Sequence, residues 1–315
     1  MEKKIPVVAV VGPTASGKTR LSIDICKAFD GEVISGDSMQ LYKKMSIATA
    51  KATKEEQSEV RHHLIDIKEP WEDFSVAEFS SLTKVAVADI NSRGKLPVIA
   101  GGTGLYIRSF LQNITFDEQK HDEEYCKELE SFAREHGNEA LHEKLQELDP
   151  VAAQNIHCNN VKRVIRAMEI NHTTGKTVSQ QNEASKREES PYLPIIIGIT
   201  YRDKDILYSR INKRVGLMVD EGLIDEARQI LSLPLSKTAT QAIGYKELVP
   251  YFNNEISLDE ALDTIRINSR HYAKRQLTWF RKEENINWFY ADDYDSYKDM
   301  LDAVIMKIEE SGIIE

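Results

Sequence analysis

Short, largely apolar runs recur along the N-terminal third of the chain, at residues 7–11, 32–35, 64–67 and 97–100, and a fifth appears much later at 195–199. Strands buried on both faces of a parallel sheet read this way, whereas strands with one wet face alternate. Between the runs, residues 18–29 and 76–91 carry apolar side chains at helical spacing. The second stretch is entered by Ser75 with Glu78 three residues on, a capping-box pattern. Strands alternating with helices predict an α/β fold around a parallel sheet.

From about residue 115 the strand signals stop. Residues 122–180 read as helical throughout, with Leu141, Leu145 and Leu148 on one face, a break at Asp149-Pro150, and a second apolar stripe at Val161, Val164, Ile165 and Met168. A polar run at 179–190 then leads through Pro191 and Pro194 into the fifth strand. The pattern predicts an all-helical insertion at 115–192 in an α/β core made of 1–114 and 193–315, with a helical C-terminal part from Lys204 onward. No internal repeat is visible.

At 315 residues, with 41% hydrophobic and 29% charged positions, the chain is of ordinary globular type and long enough for two domains. No apolar run approaches the ~18 residues that cross a bilayer, and the first residues lack the pattern of a secretory signal. Cys26, Cys126 and Cys158 are far apart and outside any CxxC spacing, which indicates neither a disulfide framework nor a zinc site and fits a reducing cytoplasm. The net charge of −10 argues against a nucleic-acid partner until its distribution is read. Residues 117–149 hold twelve acidic and four basic side chains, whereas Arg266, Arg270, Lys274, Arg275, Arg281 and Lys282 fall in a segment without an acid.

Gly12-Pro-Thr14-Ala15-Ser16-Gly17-Lys18-Thr19 fits the P-loop, with a buried strand before it and an amphipathic helix after it. Its amides cradle phosphate oxygens, Lys18 reaches the phosphates, and the Thr19 hydroxyl is placed to hold Mg²⁺. Asp37 follows the second strand and Thr103 the fourth, where ligands of open parallel sheets bind. Asp37 is a candidate general base, a magnesium neighbour or a helix cap. Asp66, inside an apolar run, is a candidate for positioning metal or water, or a residue that faces outward. His62-His63 point to opposite faces of a strand, which disfavours a metal site.

Three further segments occur with these: Asp149-Pro150 through Asn159-Asn160-Val-Lys162-Arg163-Val-Ile-Arg166-Ala-Met-Glu169, then Gln241-Ala-Ile-Gly244-Tyr245-Lys246-Glu247, and Arg275-Gln276-Leu-Thr-Trp279-Phe280-Arg281. In order and spacing the set closely resembles the bacterial tRNA dimethylallyltransferases, also called tRNA isopentenyltransferases, over nearly the whole chain. Cys158 stands where that family usually has Pro, and Lys162 where it often has Gln.

The resemblance implies a P-loop NTPase-like core that transfers a dimethylallyl group from dimethylallyl diphosphate to N6 of the adenosine at position 37 of tRNA. The products are N6-isopentenyladenosine and diphosphate. The P-loop residues would hold the diphosphate with Mg²⁺, Asp37 would take the amine proton, and Thr103 and Arg214 would complete the cradle. Motif alone leaves Arg210 and Arg214, one helical turn apart, as alternatives. Ser38, Met39 and Gln40 would read the flipped adenosine beside Asp37, with Gln241, Gly244, Tyr245 and Lys246 as further RNA contacts. Arg266, Arg270 and Lys274 recur every fourth residue and would track phosphates with Arg275, Arg281 and the nearby aromatics Trp279 and Phe280. With the acidic stretch facing solvent, Lys162, Arg163 and Arg166 would make the insertion a clamp on the anticodon stem-loop of a tRNA bound by a cytoplasmic monomer. An isopentenyltransferase of free AMP or ADP needs neither insertion nor basic helix, a small-molecule P-loop kinase leaves the last two segments without a role, and a non-catalytic RNA-binding module has no use for Asp37.

Overall fold

The computed structural model describes residues 4–114, 121–187 and 189–314. Six strands form one wholly parallel sheet: β1 (Ile5–Val11), β2 (Gly31–Ser35), β3 (His62–His63), β4 (Leu96–Gly101), β5 (Tyr192–Thr200) and β6 (Ile286–Tyr290). Their order is β3-β2-β4-β1-β5-β6. β1 lies at the centre, with Val8 opposite Val98 on one side and Ile195 on the other. Its unbroken apolar run follows from this position, because Val7, Ala9 and Val11 enter the core on one face of the sheet while Val8 and Val10 enter the core on the other.

The chain divides into two compact units, one of Met1–Leu111 with Pro191–Glu315 and one of Gln112–Ser190. The first contains the sheet with helices α1 (Lys18–Ala28), α2 (Lys54–Glu59), α3 (Val76–Ser92) and α4 (Gly104–Leu111). The second is wholly helical among its described residues, with α5 (Glu123–His136), α6 (Asn138–Leu148), α7 (Pro150–Asn155), α8 (Val161–Thr174) and α9 (Val178–Arg187). The first unit then continues with α10 (Lys204–Asp220), α11 (Leu223–Leu231), α12 (Val249–Phe252), α13 (Leu258–Phe280) and α14 (Tyr297–Glu310). Ser75 caps α3 by accepting from the Glu78 N–H. In the helical unit, Leu141 and Leu145 pack with Val164, Ile165 and Met168, the two stripes legible in the sequence.

Four expectations change. Residues 64–67 are not a strand: Leu64 (φ 59°) and Asp66 (φ 55°) adopt left-handed backbone, so extension stops at His63. The C-terminal part is not all helical, since β6 pairs with β5; as an edge strand whose five residues are all half-buried, it carries no unbroken apolar run. The polar run at 179–190 is mostly α9. Asp149, in the stretch expected to face solvent, is 4% exposed and caps α7, its Oδ1 accepting from the Ala152 N–H at 3.0 Å and from the Ser179 hydroxyl at 2.6 Å. Thr115, the expected start of the insertion, and Asp117, Glu118 and Lys120 of the acidic stretch lie outside the described residues. Among the described residues no helix is long and apolar enough to cross a membrane.

Candidate active site

The site forms where β1, β2 and β4 release the chain at their carboxyl ends. After β1, Gly12 (φ 149°) runs so close to β5 that a Cβ there would lie 2.2 Å from the Ile199 carbonyl oxygen, which admits glycine alone. Ala15 (φ 61°) and Gly17 (φ 102°) are left-handed, and α1 starts at Lys18. This coiling turns the loop around a concavity at a helix N-terminus. Lys18 folds back over the loop and donates to the Pro13 carbonyl at 2.7 Å. Burial pushes its ammonium down to about 8, against the attraction of Asp37 and with repulsion from Arg214.

Asp37 follows β2 in a tight turn, its Oδ1 accepting from the N–H of Met39 at 2.8 Å and of Gln40 at 3.4 Å. Among the described residues Oδ2 accepts no hydrogen bond. The next strand end touches this turn: Thr103 Oγ1 accepts from the Ser38 N–H at 3.1 Å, and Gly101 meets Gly36 so closely that a Cβ would lie 2.2 Å from its oxygen. From α10, Arg214 reaches the loop, its Nη1 3.4 Å from Thr14 Oγ1; burial lowers its pKa while Asp37 opposes the shift. Arg210 donates instead to the Ala15 carbonyl at 3.0 Å, outside the cavity, which distinguishes the two arginines.

One cavity of about 330 Å³ opens here in the α/β unit, and of the residues expected to cradle the diphosphate, Gly12, Ala15, Ser16, Gly17 and Thr103 are not in its wall. Thr14, Lys18, Thr19, Asp37 and Arg214 form part of its wall, and Ser38, Met39, Gln40, Gln241, Gly244, Lys246 and Arg275 also face it. Gln276 had no role in the sequence reading. It is 5% exposed, accepts from the Thr14 N–H at 2.9 Å and donates to the Gly102 carbonyl at 3.1 Å, tying the P-loop to the turn after β4.

Several residues expected at the ligand serve the scaffold. The Gln40 amide is taken up by the protein: Oε1 accepts from Ser35 Oγ at 3.0 Å and Nε2 donates to the Ala50 carbonyl at 3.2 Å, so it is not free to read a base edge. Tyr245 is 1% exposed and donates to Glu226 Oε1 at 2.8 Å. Glu226 in turn accepts from the N–H groups of Ser46, Ile47 and Ala48, shaping a loop of the cavity wall. Glu247 accepts from the Gly244 N–H at 2.8 Å and from Asn268 Nδ2 at 2.8 Å. Asp66 pairs with the buried Lys51 at 2.5 Å, its side chain is 46% exposed and it lies outside the cavity wall, so it is the outward-facing residue of the two alternatives.

The basic stripe is also revised. Along α13 Ile265, Ser269, Tyr272, Arg275 and Gln276 line the cavity, and at about 100° per residue Arg266, Arg270 and Lys274 point away from that face. Arg266 pairs with Asp263 at 2.6 Å, an acid three residues upstream of the segment counted as acid-free, and Arg270 donates to Asn212 Oδ1 at 2.9 Å. Lys274 and Arg281 are exposed. Phe280 is a core residue and Trp279 packs against Gly104, so neither forms the aromatic surface expected beside the stripe.

In the helical unit Lys162 and Arg163 are exposed, while Arg166 pairs with Glu169 at 2.5 Å. The single grouping of potential metal ligands among the described residues is there too, His121, Cys126 and Glu169. Burial opposes ionisation of Glu169, but Arg166, the Asp122 N–H and His121 hold its carboxyl down at about 2. In the α/β unit, His62 Nδ1 bonds the Val60 carbonyl and His63 bonds Glu32.

The comparisons with known proteins agree with this geometry. The family model described as IPP transferase matches residues 40–283. A tRNA dimethylallyltransferase of Halalkalibacterium halodurans is 49% identical over 98% of this chain and 99% of its own length. The full-length tRNA isopentenylpyrophosphate transferase structure from Bacillus halodurans superposes with a TM-score of 0.71 at 47% identity, covering 98% of both chains. A eukaryotic dimethylallyltransferase, solved in snapshots acting on tRNA, superposes with a TM-score of 0.82 at 26% identity, covering 98% of this chain and 79% of that one. By its P-loop-like α/β architecture, its cavity and its full-length relatives, the chain belongs to the IPP transferase family of tRNA-modifying prenyltransferases.

Proposed function

We propose that this enzyme transfers the dimethylallyl group of dimethylallyl diphosphate to N6 of adenosine 37 in tRNA. The observation that carries this reading is the meeting, in one cavity, of a phosphate loop with Lys18 and Arg214 and a carboxylate, Asp37, one oxygen of which accepts no hydrogen bond from the described residues. An allylic C–O bond breaks toward a cation and diphosphate, and fixed positive groups on the leaving side lower that barrier most. Lys18, Arg214 and the loop amides receive the charge that grows on the diphosphate. The N6 lone pair forms the new C–N bond, and Asp37 Oδ2 takes the N6 proton, while Oδ1 keeps the carboxylate oriented. Thr103 acts on the cradle through the Ser38 amide.

The residues present fit Mg²⁺ held jointly with the substrate: the Thr19 hydroxyl lines the cavity, and this ion binds through one or two protein groups plus phosphate oxygens and water. It would supply charge for the departing diphosphate. RNA recognition in this reading draws on Arg275, Lys246 and Gln241 at the cavity and on Lys162 and Arg163 in the helical unit, whose role is to clamp the anticodon stem-loop. The enzyme works as a monomer in the cytoplasm, where its tRNA is.

Labelled dimethylallyl diphosphate offered with tRNA, with AMP and with a hydroxyl acceptor tests the reading. Label in N6-isopentenyladenosine of tRNA alone is the expected result. Label in AMP would mean a free-nucleotide enzyme, and tRNA-independent ATP turnover without prenyl transfer would mean a kinase.

A further inference from the structure

Tyr272 belongs to no motif that drew attention in the sequence, yet it is the one Phe, Tyr or Trp among the described residues that line the cavity. It stands on the cavity face of α13, one turn before Gln276. Burial raises the pKa of its phenol with Asp37 adding to the shift, which keeps it neutral. The ring therefore lines the same cavity as Lys18 and Arg214, which hold the leaving diphosphate, and Asp37, which orients the attacking nitrogen. The transferring carbon must pass between those groups inside this cavity. Its electron-rich face already accepts a cation, the Arg275 guanidinium 5.6 Å from its centroid.

We propose that Tyr272 is a catalytic residue whose π-face stabilises the positive charge that develops on the dimethylallyl group during transfer. The inference rests on the reaction proposed above and deepens it. As the C1–O bond breaks and its electron pair leaves with diphosphate, the allyl carbons become cationic until the N6 lone pair closes the C–N bond. Water would stabilise that cation but also trap it as an alcohol. An aromatic ring offers negative electrostatic potential without a nucleophilic atom directed at the carbon. Stacking on the incoming adenine is the competing use of the same ring, and the test separates the two.

The test replaces Tyr272 in the full chain by Phe and then by its 4-fluoro, 3,5-difluoro and 3,4,5-trifluoro forms, which withdraw π-density while leaving ring shape nearly constant. The expected result is a stepwise fall in kcat across the series, totalling roughly 5- to 30-fold, the range of a desolvated cation–π contact. KM for both substrates should stay nearly level. Inhibition by dimethylallylammonium with inorganic diphosphate, a stable mimic of the ion pair, should weaken in the same order, a response that a purely structural ring would not give. Tyr272→Leu should fall to the bottom of the series, and if it fails to fold the near-isosteric ring series still decides. A flat kcat and flat inhibition with an active parent would overturn the inference. A flat kcat with rising KM for tRNA would overturn it in favour of base stacking. A parent that transfers no prenyl group would overturn the proposed reaction itself.

Discussion

The P-loop end of the cavity and the motif segments around Gln40 and Tyr245 are built in opposite ways. At the P-loop end, among the described residues, the Lys18 ammonium hydrogen-bonds only a carbonyl of its own loop, Arg214 makes one long hydrogen bond at 3.4 Å, and Asp37 uses one carboxylate oxygen. Around Gln40 and Tyr245 the polar atoms are occupied: the Gln40 amide by Ser35 and Ala50, the Tyr245 hydroxyl by Glu226, and Glu226 by three backbone N–H groups. Both regions carry family motifs. Hydrogen-bonding capacity left unused separates the residues that meet ligands from those that shape the walls, because a buried polar atom already paired gains little by exchanging partners.

The largest effect expected from this contrast is at Asp37. Asp37→Asn keeps an acceptor for the Met39 N–H but cannot take a proton, so kcat should fall by about 10²- to 10⁴-fold with tRNA affinity and melting temperature preserved. Single-turnover transfer and filter binding measure the two halves. Near-parental turnover would move Asp37 from the ligand side of the comparison to the scaffold side.

Lys18 sharpens the comparison through pH. Burial holds its pKa near 8, far below an ordinary lysine, so the free enzyme loses the positive charge that diphosphate needs as pH rises through that value. The kcat/KM for dimethylallyl diphosphate should therefore decline about tenfold per unit above pH 8, while kcat, measured with diphosphate already bound, declines later. Folding carries the opposite sign. With the folded pKa below the unfolded one, the unfolded chain holds more protons between pH 8 and 10.5, and Lys18 contributes stability that rises with pH across that window. Lys18→Ala should abolish both dependences.

How much of this was legible follows from sequence separation. The P-loop, Asp37 and the strand cores are local patterns: a fixed eight-residue spacing, a carboxylate at a strand end, and runs apolar at successive positions. Gln276 was not legible as a site residue because its partners, Thr14 and Gly102, lie 262 and 174 positions away. Glu226 likewise holds backbone amides some 180 positions upstream. No spacing rule connects such pairs; only the sheet, by bringing the ends of β1, β2 and β4 beside α10, α11 and α13, creates them. β6 is hidden for a different reason: as an edge strand its five residues are only half-buried and include the polar Asn287, so no unbroken apolar run marks it.

The scaffold side of the comparison predicts stability effects. Glu226→Ala leaves the Ser46, Ile47 and Ala48 amides and the Tyr245 hydroxyl without their acceptor, a loss of about 2 kcal/mol. A melting midpoint several degrees lower is the expected outcome, with kcat within a few-fold of the parent at low temperature. A large loss of kcat at unchanged stability would show that this segment acts on substrate directly.

The smallest effects concern the basic positions of α13, where the same criterion ranks three residues that sequence spacing treats as equal. A side chain that neutralises an RNA phosphate contributes a slope of roughly −0.7 to −0.9 to log K against log salt, and reversing its charge removes that contribution. Lys274 is exposed and has no ion-pair partner among the described residues, whereas Arg266 is paired with Asp263 and Arg270 is hydrogen-bonded to Asn212. Lys274→Glu should therefore flatten the salt dependence of tRNA binding most, Arg270→Glu less, and Arg266→Glu least, since its loss also frees Asp263 to repel phosphate only weakly at an exposed site. Binding isotherms at four or five salt concentrations give the three slopes. If Arg266→Glu flattens the slope as much as Lys274→Glu, ion pairs within the helix open readily for RNA, and unused capacity in the free protein would cease to identify contacts at exposed positions, remaining a guide only inside the cavity.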